Sequence, residues 1–330
     1  MIRAFAIQDG ALRPIPVESG VPAPAAALWI DLVHPSRAEE QAVEALAGVD
    51  IPTRAEAGGL QISDRLVAGD GTTLCLSALV PTGPDATPSF VPVTFIQAGK
   101  RLITVRYGAA ESLDPMIARY SSGQVQLADA ADLFAILLET VVDRIADQLE
   151  KIGETLDRIG HGIFRHPAAL ARRAGRPMPV TRRTHRLEAT LEAIGQAHTL
   201  SARLRQSLQT LIRLVAFAHE HADDGLRRRL RAIEADLHSV AEHNTFLAAE
   251  MEFMLDATVG LIDIQQNKVI YILSIVSVAL TPPVLVASTY GMNFHRMPEL
   301  DWSYGYAFAL ALMLVSAIGP FLLFKLKGWL

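Results

Sequence analysis

Two charge-free stretches near the end of the chain limit its folding more than any other feature. From Val269 to Phe294 no side chain except tyrosine ionises, and these roughly 26 positions reach about 39 Å as a helix at 1.5 Å per residue. Ser303 to Phe324 is charge-free again, about 33 Å by the same rise. Each is long enough to cross a bilayer, so residues 269–330 are expected to form a transmembrane hairpin. Lys268, Lys325 and Lys327 flank its outer ends, whereas the connecting loop sets Glu299 and Asp301 against Arg296. Cations collect on the cytoplasmic side of membrane proteins, which predicts both termini in the cytoplasm. Tyr304 and Tyr306 at one end and Trp329 at the other match aromatic belts at the two interfaces.

With 330 residues, half of them apolar, the chain has material for one or two cytosolic domains besides the hairpin. A net charge of −5 speaks against nucleic-acid binding, which leaves a basic footprint. The single cysteine, Cys75, cannot form an intrachain disulfide, and between Leu74 and Leu76 it reads as a buried strand thiol suited to a reducing compartment. The N-terminus lacks the charged start and long apolar run of a cleavable signal peptide.

Short apolar runs at Ile2–Ile7 and Leu28–Leu32 read as strands, the second stopped by His34-Pro35. Ser36 and Glu39 form a capping-box pattern that opens a helix through Leu46. Leu60–Leu66, Thr72–Val80, Val91–Ile96 and Arg101–Val105 read as further strands, with Gly99-Lys100 as a hairpin turn. Residues 1–112 are therefore expected to form a cytosolic α/β domain with a largely antiparallel sheet. From Asp114-Pro115 onward the sequence is strand-poor. Leu127–Phe164 and Thr181–His221 carry helical periodicity around a break at Pro167–Pro179, which predicts an antiparallel helical hairpin within residues 113–224.

A third helix, the stalk of residues 225–268, follows Asp223-Asp224-Gly225. Leu226, Leu230, Ile233, Leu237, Val240, Asn244, Leu247, Met251, Met254, Thr258 and Leu261 alternate at spacings of four and three. Nothing need stop this helix before the membrane, so one helix of about 65 residues, near 100 Å, is expected to run into the first span. Such a seam suits packing on its own hairpin or self-association. Further along, Asn267, Ile270, Ser274, Ser277, Thr281, Val284, Ser288 and Gly291 keep the spacing on one face, and most are small or polar. In a bilayer that stripe either lines water or packs helices closely. Two spans cannot enclose a hydrated path, so a channel would need several copies.

The motif that narrows the choice is Tyr290-Gly291-Met292-Asn293-Phe294 at the exit of the first span, after Pro282-Pro283 and before Met297-Pro298-Glu299-Leu300 and a Lys-Gly-Trp-Leu end. In this setting the chain resembles the CorA family of divalent-cation channels, most closely from about Leu261 to Leu330. Trp29-Ile30-Asp31-Leu32 also resembles an early strand of the family. The resemblance implies a funnel-shaped homopentamer of α+β class in a bacterial inner membrane. It implies passage of hydrated Mg²⁺, with Co²⁺ or Ni²⁺, down the electrochemical gradient, and no enzyme activity. It implies pore lining by the stripe, with Asn267 near the cytosolic mouth and Ile270 with Leu273 as an apolar constriction that gates by dewetting.

Asn293 matches the family's selectivity element. Gly291 lets the backbone leave the helix, and the Asn293 amide oxygen can hold a cation through its water shell, which suits Mg²⁺ because that ion dehydrates reluctantly. Repeated around a ring, Glu299 and Asp301 would concentrate cations, although they also fit an ordinary solvated loop. The resemblance further implies regulation by cytosolic Mg²⁺ bridging acidic groups of neighbouring subunits. The position matching the best-known sensing aspartate is Ala232, which leaves Asp85, Glu234, Asp236, Glu242, Asp256 and Asp263 as substitutes or as plain surface charge.

His219 with His221 and His161 with His166 lack any accompanying Cys-x-x-Cys or His-Glu-x-x-His pattern and read as surface histidines. No phosphate-binding loop supports ATP-driven pumping. The rival readings are a zinc transporter resembling ZntB proteins, which lack the Met-Asn pair and acidic loop, an exporter of divalent cations, and a membrane-anchored cytosolic scaffold without flux.

Overall fold

The structure is a computed structural model that describes residues 1–17, 26–54, 66–68, 73–82, 88–108, 114–121, 127–164, 180–292 and 302–328. The chain separates into two compact units, residues 1–178 with 188–255 and residues 179–187 with 256–330.

The first unit is built on a seven-stranded sheet. Its strands are β1 (Ile2–Gln8), β2 (Ala11–Ile15), β3 (Trp29–Val33), β4 (Leu66–Ala68), β5 (Thr73–Thr82), β6 (Ser89–Ala98) and β7 (Arg101–Arg106), in the order β2-β1-β3-β7-β6-β5-β4. Every pairing is antiparallel except β3 with β7. Strand β2 was not expected, because Arg13-Pro14 interrupts its apolar pattern. As an edge strand it tolerates the missing proline N–H, and the turn is made by Asp9 (φ 52°) and Gly10 (φ 76°), the Asp-Gly pairing that two-residue hairpins favour. Of the run Leu60–Leu66, only Leu66 falls within the described residues.

Helix α1 (Arg37–Ala47) opens with the expected capping box. The Glu39 N–H donates to Ser36 Oγ, the Ser36 N–H donates to Glu39, and Gly48 in the left-handed region (φ 66°) ends the helix. It places Val43 over one sheet face, against Ile30, Leu32, Ile96, Ile103 and Val105. The other face, carrying Trp29, Phe95 and Leu102, is covered by α2 (Asp114–Ser121) and α3 (Ala130–Phe164), with Phe95 and Phe134 edge to face at 5.7 Å.

That second face also holds a buried ion network. Asp31, fully buried, accepts from Arg3 Nη2 and Arg106 Nη2, both at 2.7 Å, and from Thr104 Oγ1 at 2.7 Å, while Trp29 Nε1 donates to Thr104 at 3.0 Å. The strand register brings these groups together, since Arg3 and Thr104 both pair with Asp31 across β1, β3 and β7.

Helix α4 (Val180–His221) finishes the sheet. Among the described residues, β4 pairs with Leu74–Leu76 alone, and the edge of β5 beyond it meets α4. There Ser207 Oγ donates to the Leu79 carbonyl at 2.6 Å and the Leu79 N–H donates to Thr210 Oγ1 at 3.0 Å, so two helix side chains act as the missing strand.

Asp223 caps α5 (Asp224–Tyr290) by accepting from the Leu226 N–H at 2.9 Å. The alternating seam is buried at Leu230, Ile233, Leu237, Leu247 and Met251, within one apolar core shared by α3 and α4. Among its polar members, Asn244 is buried and accepts from Ser201 Oγ at 2.7 Å, which fixes the register of α5 on α4. Arg229 adds an ion pair to Asp132 through Nη1 and one to Glu139, where Nη2 donates to both carboxylate oxygens at 2.7 and 2.9 Å.

Burial and, secondarily, the Asp50 charge push the Cys75 thiol up to about 11 from 9.0. That leaves about a hundredfold less thiolate than an ordinary cysteine near pH 8. Iodoacetamide at pH 8 should label the native protein far more slowly than the urea-unfolded chain, as mass spectrometry would show. Below pH 9 the thiol is neutral in both states. Stability on this account is lost only as pH climbs from about 9 towards 11, where the unfolded thiol ionises first.

Candidate functional site

The second unit contains α5 from Asp256 to Tyr290, the helix α6 (Gly305–Leu326) and the first turns of α4. Among the described residues, α5 and α6 are the two helices long and apolar enough to cross a membrane.

Every expected pore-lining residue lies on α5 and is exposed in the single chain: Asn267, Ile270, Leu273, Ser274, Ser277, Thr281, Val284 and Ser288. Ile270 is 61 % exposed and Val284 60 %. From Ile275 onward the half-buried residues are Ile275, Ala279, Pro282, Pro283, Val286 and Tyr290, which at 100° per residue centre on the opposite side of the helix from the Ser/Thr stripe. The two faces are therefore distinct, one covered within the chain and one uncovered.

Cover comes from α6, where Gly305 and Ala309 are buried and Met313, Ser316, Ala317, Gly319, Pro320 and Phe324 are half-buried, most of them small. Leu312 and Ser316 close a groove of about 560 Å³ with Pro282, Leu285, Val286 and Thr289. On the stripe the hydroxyls turn inward to their own helix, Ser274 to the Ile270 carbonyl at 2.8 Å and Thr281 to the Ser277 carbonyl at 2.6 Å. This internal bonding lets a hydroxyl-rich face sit in an apolar medium while its oxygens keep a free lone pair.

Helix α5 ends where the motif predicts. Tyr290 is its last residue, the Gly291 N–H still reaches the Ala287 carbonyl at 2.9 Å, and Met292 is exposed beyond it. A Cβ on Gly291 would stand 3.1 Å from that carbonyl oxygen, tighter than an ordinary contact. Asn293, Glu299 and Asp301 lie outside the described residues, as does Asp85.

Of the acidic groups considered for regulation, Asp236, Glu242, Asp256 and Asp263 are exposed and Glu234 is half-buried. Among the described residues no three His, Cys, Asp or Glu side chains come together as a metal site. One acid passed over in the sequence does stand beside a candidate. Burial, then the carboxylates of Asp147, Glu139 and Asp236, hold the Asp143 carboxyl above its ordinary range. Glu139 and Asp147 lie one turn to either side of Asp143 on α3 itself, and only Asp236 is brought in from α5.

The family described as CorA-like Mg²⁺ transporter protein matches residues 24–326. The chain is 30 % identical over 332 residues to the magnesium transport protein CorA of Escherichia coli strain K12, covering 100 % of both chains. Its fold is similar to the complete structure of the CorA magnesium transporter from Methanocaldococcus jannaschii, with a TM-score of 0.74 at 15 % identity, covering 100 % of this chain and 99 % of that one. The ZntB cytoplasmic domain from Vibrio parahaemolyticus is also similar, with a TM-score of 0.57 at 13 % identity over 79 % of this chain and 97 % of the other.

Proposed function

The chain belongs to the CorA-like Mg²⁺ transporter family, and on that premise we propose that it is a homopentameric inner-membrane channel admitting hydrated Mg²⁺ to the cytoplasm. The observation that carries this reading is the uncovered Ser/Thr face of α5, set opposite the face that α6 covers. Five copies turned inward would bury the first face around water and leave α6 towards lipid. The stalk supports self-association as well, since Phe246 is 63 % exposed and Phe253 59 % on the part of α5 that crosses no bilayer. Exposed large aromatics in such a helix favour a partner.

Each residue then has a task. Ile270 and Leu273 narrow the cytosolic half with side chains that expel water when they approach. Ser274, Ser277, Thr281 and Ser288 offer hydroxyl oxygens to the ion's water shell. Gly291 and Met292 end the helix, and Asn293 places amide oxygens at the outer mouth. No carboxylate lies between Val269 and Phe294, so the ion passes as a hydrated charge driven by the potential, which supplies about 4.6 kcal/mol per 100 mV to a divalent ion. Glu299 and Asp301 draw cations to the entrance. Both termini and the sheet unit lie in the cytoplasm, and Glu234, Asp236 and Glu242 are the groups by which cytosolic Mg²⁺ would close the path.

Purified protein in liposomes with an inside-negative potential tests this directly. Mg²⁺ should enter at least tenfold faster than into protein-free vesicles, Co²⁺ and Ni²⁺ should follow, and Asn293→Ala should erase the preference for Mg²⁺ over Zn²⁺. Faster Zn²⁺ entry would favour a ZntB-like transporter, and the absence of flux would favour a scaffold.

A further inference from the structure

The groove between α5 and α6 lies on one flank of the Ser/Thr stripe. Turning about 100° per residue from Ser277, Leu285 and Thr289 in the groove fall about 80° and 120° to one side, whereas Leu280 and Ala287 fall about 60° and 80° to the other. That other flank is bare. Val269, Val276, Leu280 and Ala287 follow one another along it and all are exposed in the single chain. One side of α5 is thus a hollow of about 560 Å³ and the opposite side an aliphatic edge.

The hollow is suited to an apolar occupant. Thr281, Thr289 and Ser316 line it, and each donates its hydroxyl to a carbonyl of its own helix, at 2.6, 2.8 and 2.9 Å. Copies arranged in a ring by rotation meet through unlike faces, so the hollow of each chain turns to the aliphatic edge of the next. Rotation about the bilayer normal also keeps every residue at its own depth. The groove follows α5 from Thr281 to Tyr290, which sets Leu280 level with its lower end and Ala287 with its upper half, while Val276 falls below it. Helix α6 returns across the bilayer, so the order of depth matches Leu280 with Ser316 and Ala287 with Leu312.

We infer that this groove receives Leu280 and Ala287 of a second copy of the chain, so that α6 clasps the neighbour's α5 as well as its own. Leu280 supplies the bulk that fills the hollow, and Ala287 and Ser316 are small enough for the helices to approach closely. A lipid acyl chain in the same place would be ordered there and would leave the aliphatic edge of the other flank unmatched, whereas one contact between copies covers both. The inference rests on the ring proposed above and names the surface that closes it.

Oxidative cross-linking of the full-length protein in liposomes provides the test, with Leu280→Cys and Ser316→Cys placed together in a Cys75→Ala background. Treated with copper phenanthroline and run on a non-reducing gel, this variant should give a ladder reaching five copies. It should hold about tenfold more material above the dimer than either single-cysteine variant, because one cysteine per chain joins no more than two chains. Ala287→Cys with Leu312→Cys carries the test if the first pair does not fold. Products no larger than a dimer from both pairs, with light scattering still giving the mass of five chains, overturn the inference and leave the ring standing. A monomeric mass overturns both.

Discussion

Replacing Asp31 with alanine should lower the stability of the sheet unit by about 3–5 kcal/mol, the cost of leaving a buried charge without its partner. Two guanidinium groups converge on this carboxylate, and the Arg106 side chain is as fully buried as Asp31 itself. Removing the anion leaves Arg106 with a charge that it can neither solvate nor shed, because arginine stays protonated in proteins. The Thr104 hydroxyl would lose its acceptor as well, leaving the group that accepts from the Trp29 indole without its own anchor. The thermal midpoint of the purified protein should drop by roughly 10 °C or more at that cost. A triple replacement of Arg3, Asp31 and Arg106 by apolar residues of similar size should recover most of the loss, since no unpaired charge remains. If alanine at position 31 left the midpoint within 2 °C, roughly the shift of half a kcal/mol, the network would be ornamental to stability.

This network also shows where sequence reading stops. Asp31 is visible there only as part of Trp29-Ile30-Asp31-Leu32, and nothing local connects it to Thr104 and Arg106, 73 and 75 residues away. The link is the parallel register of β3 on β7, a long-range property that no local pattern encodes. The approach of Asp236 on α5 to Asp143 on α3 was hidden for the same reason, whereas Glu139 and Asp147 are neighbours of Asp143 on α3 itself. By contrast, the long helix was legible because its alternating seam and its charge-free span are both written in local spacing, and α5 follows them without a break across Pro282-Pro283. The family resemblance was legible from the Gly-Met-Asn exit and its surroundings, and the family match over residues 24–326 agrees with it. The order of strands in the sheet and the capping of β5 by Ser207 and Thr210 became visible only in three dimensions.

Leucine at Ser277 should reduce Mg²⁺ entry into liposomes by tenfold or more, while leucine at the adjacent Val276 should leave it unchanged. The two positions are one residue and about 100° apart on α5. Both are exposed in the single chain, but only Ser277 lies on the Ser/Thr stripe. In the proposed pentamer Ser277→Leu adds five isobutyl groups around the path and removes five hydroxyl oxygens, so the constriction loses water and with it the hydrated ion. Membrane insertion does not confuse the result, because leucine favours a bilayer more than serine does. The same substitution separates the two uses of a small-residue stripe. If Ser277 lines water, the variant should keep its oligomer mass by size-exclusion with light scattering and lose flux. If it packs helix against helix, leucine should force the copies apart and the mass should fall with the flux. Unchanged flux in an intact oligomer would remove Ser277 from both roles and turn the uncovered face of α5 towards lipid.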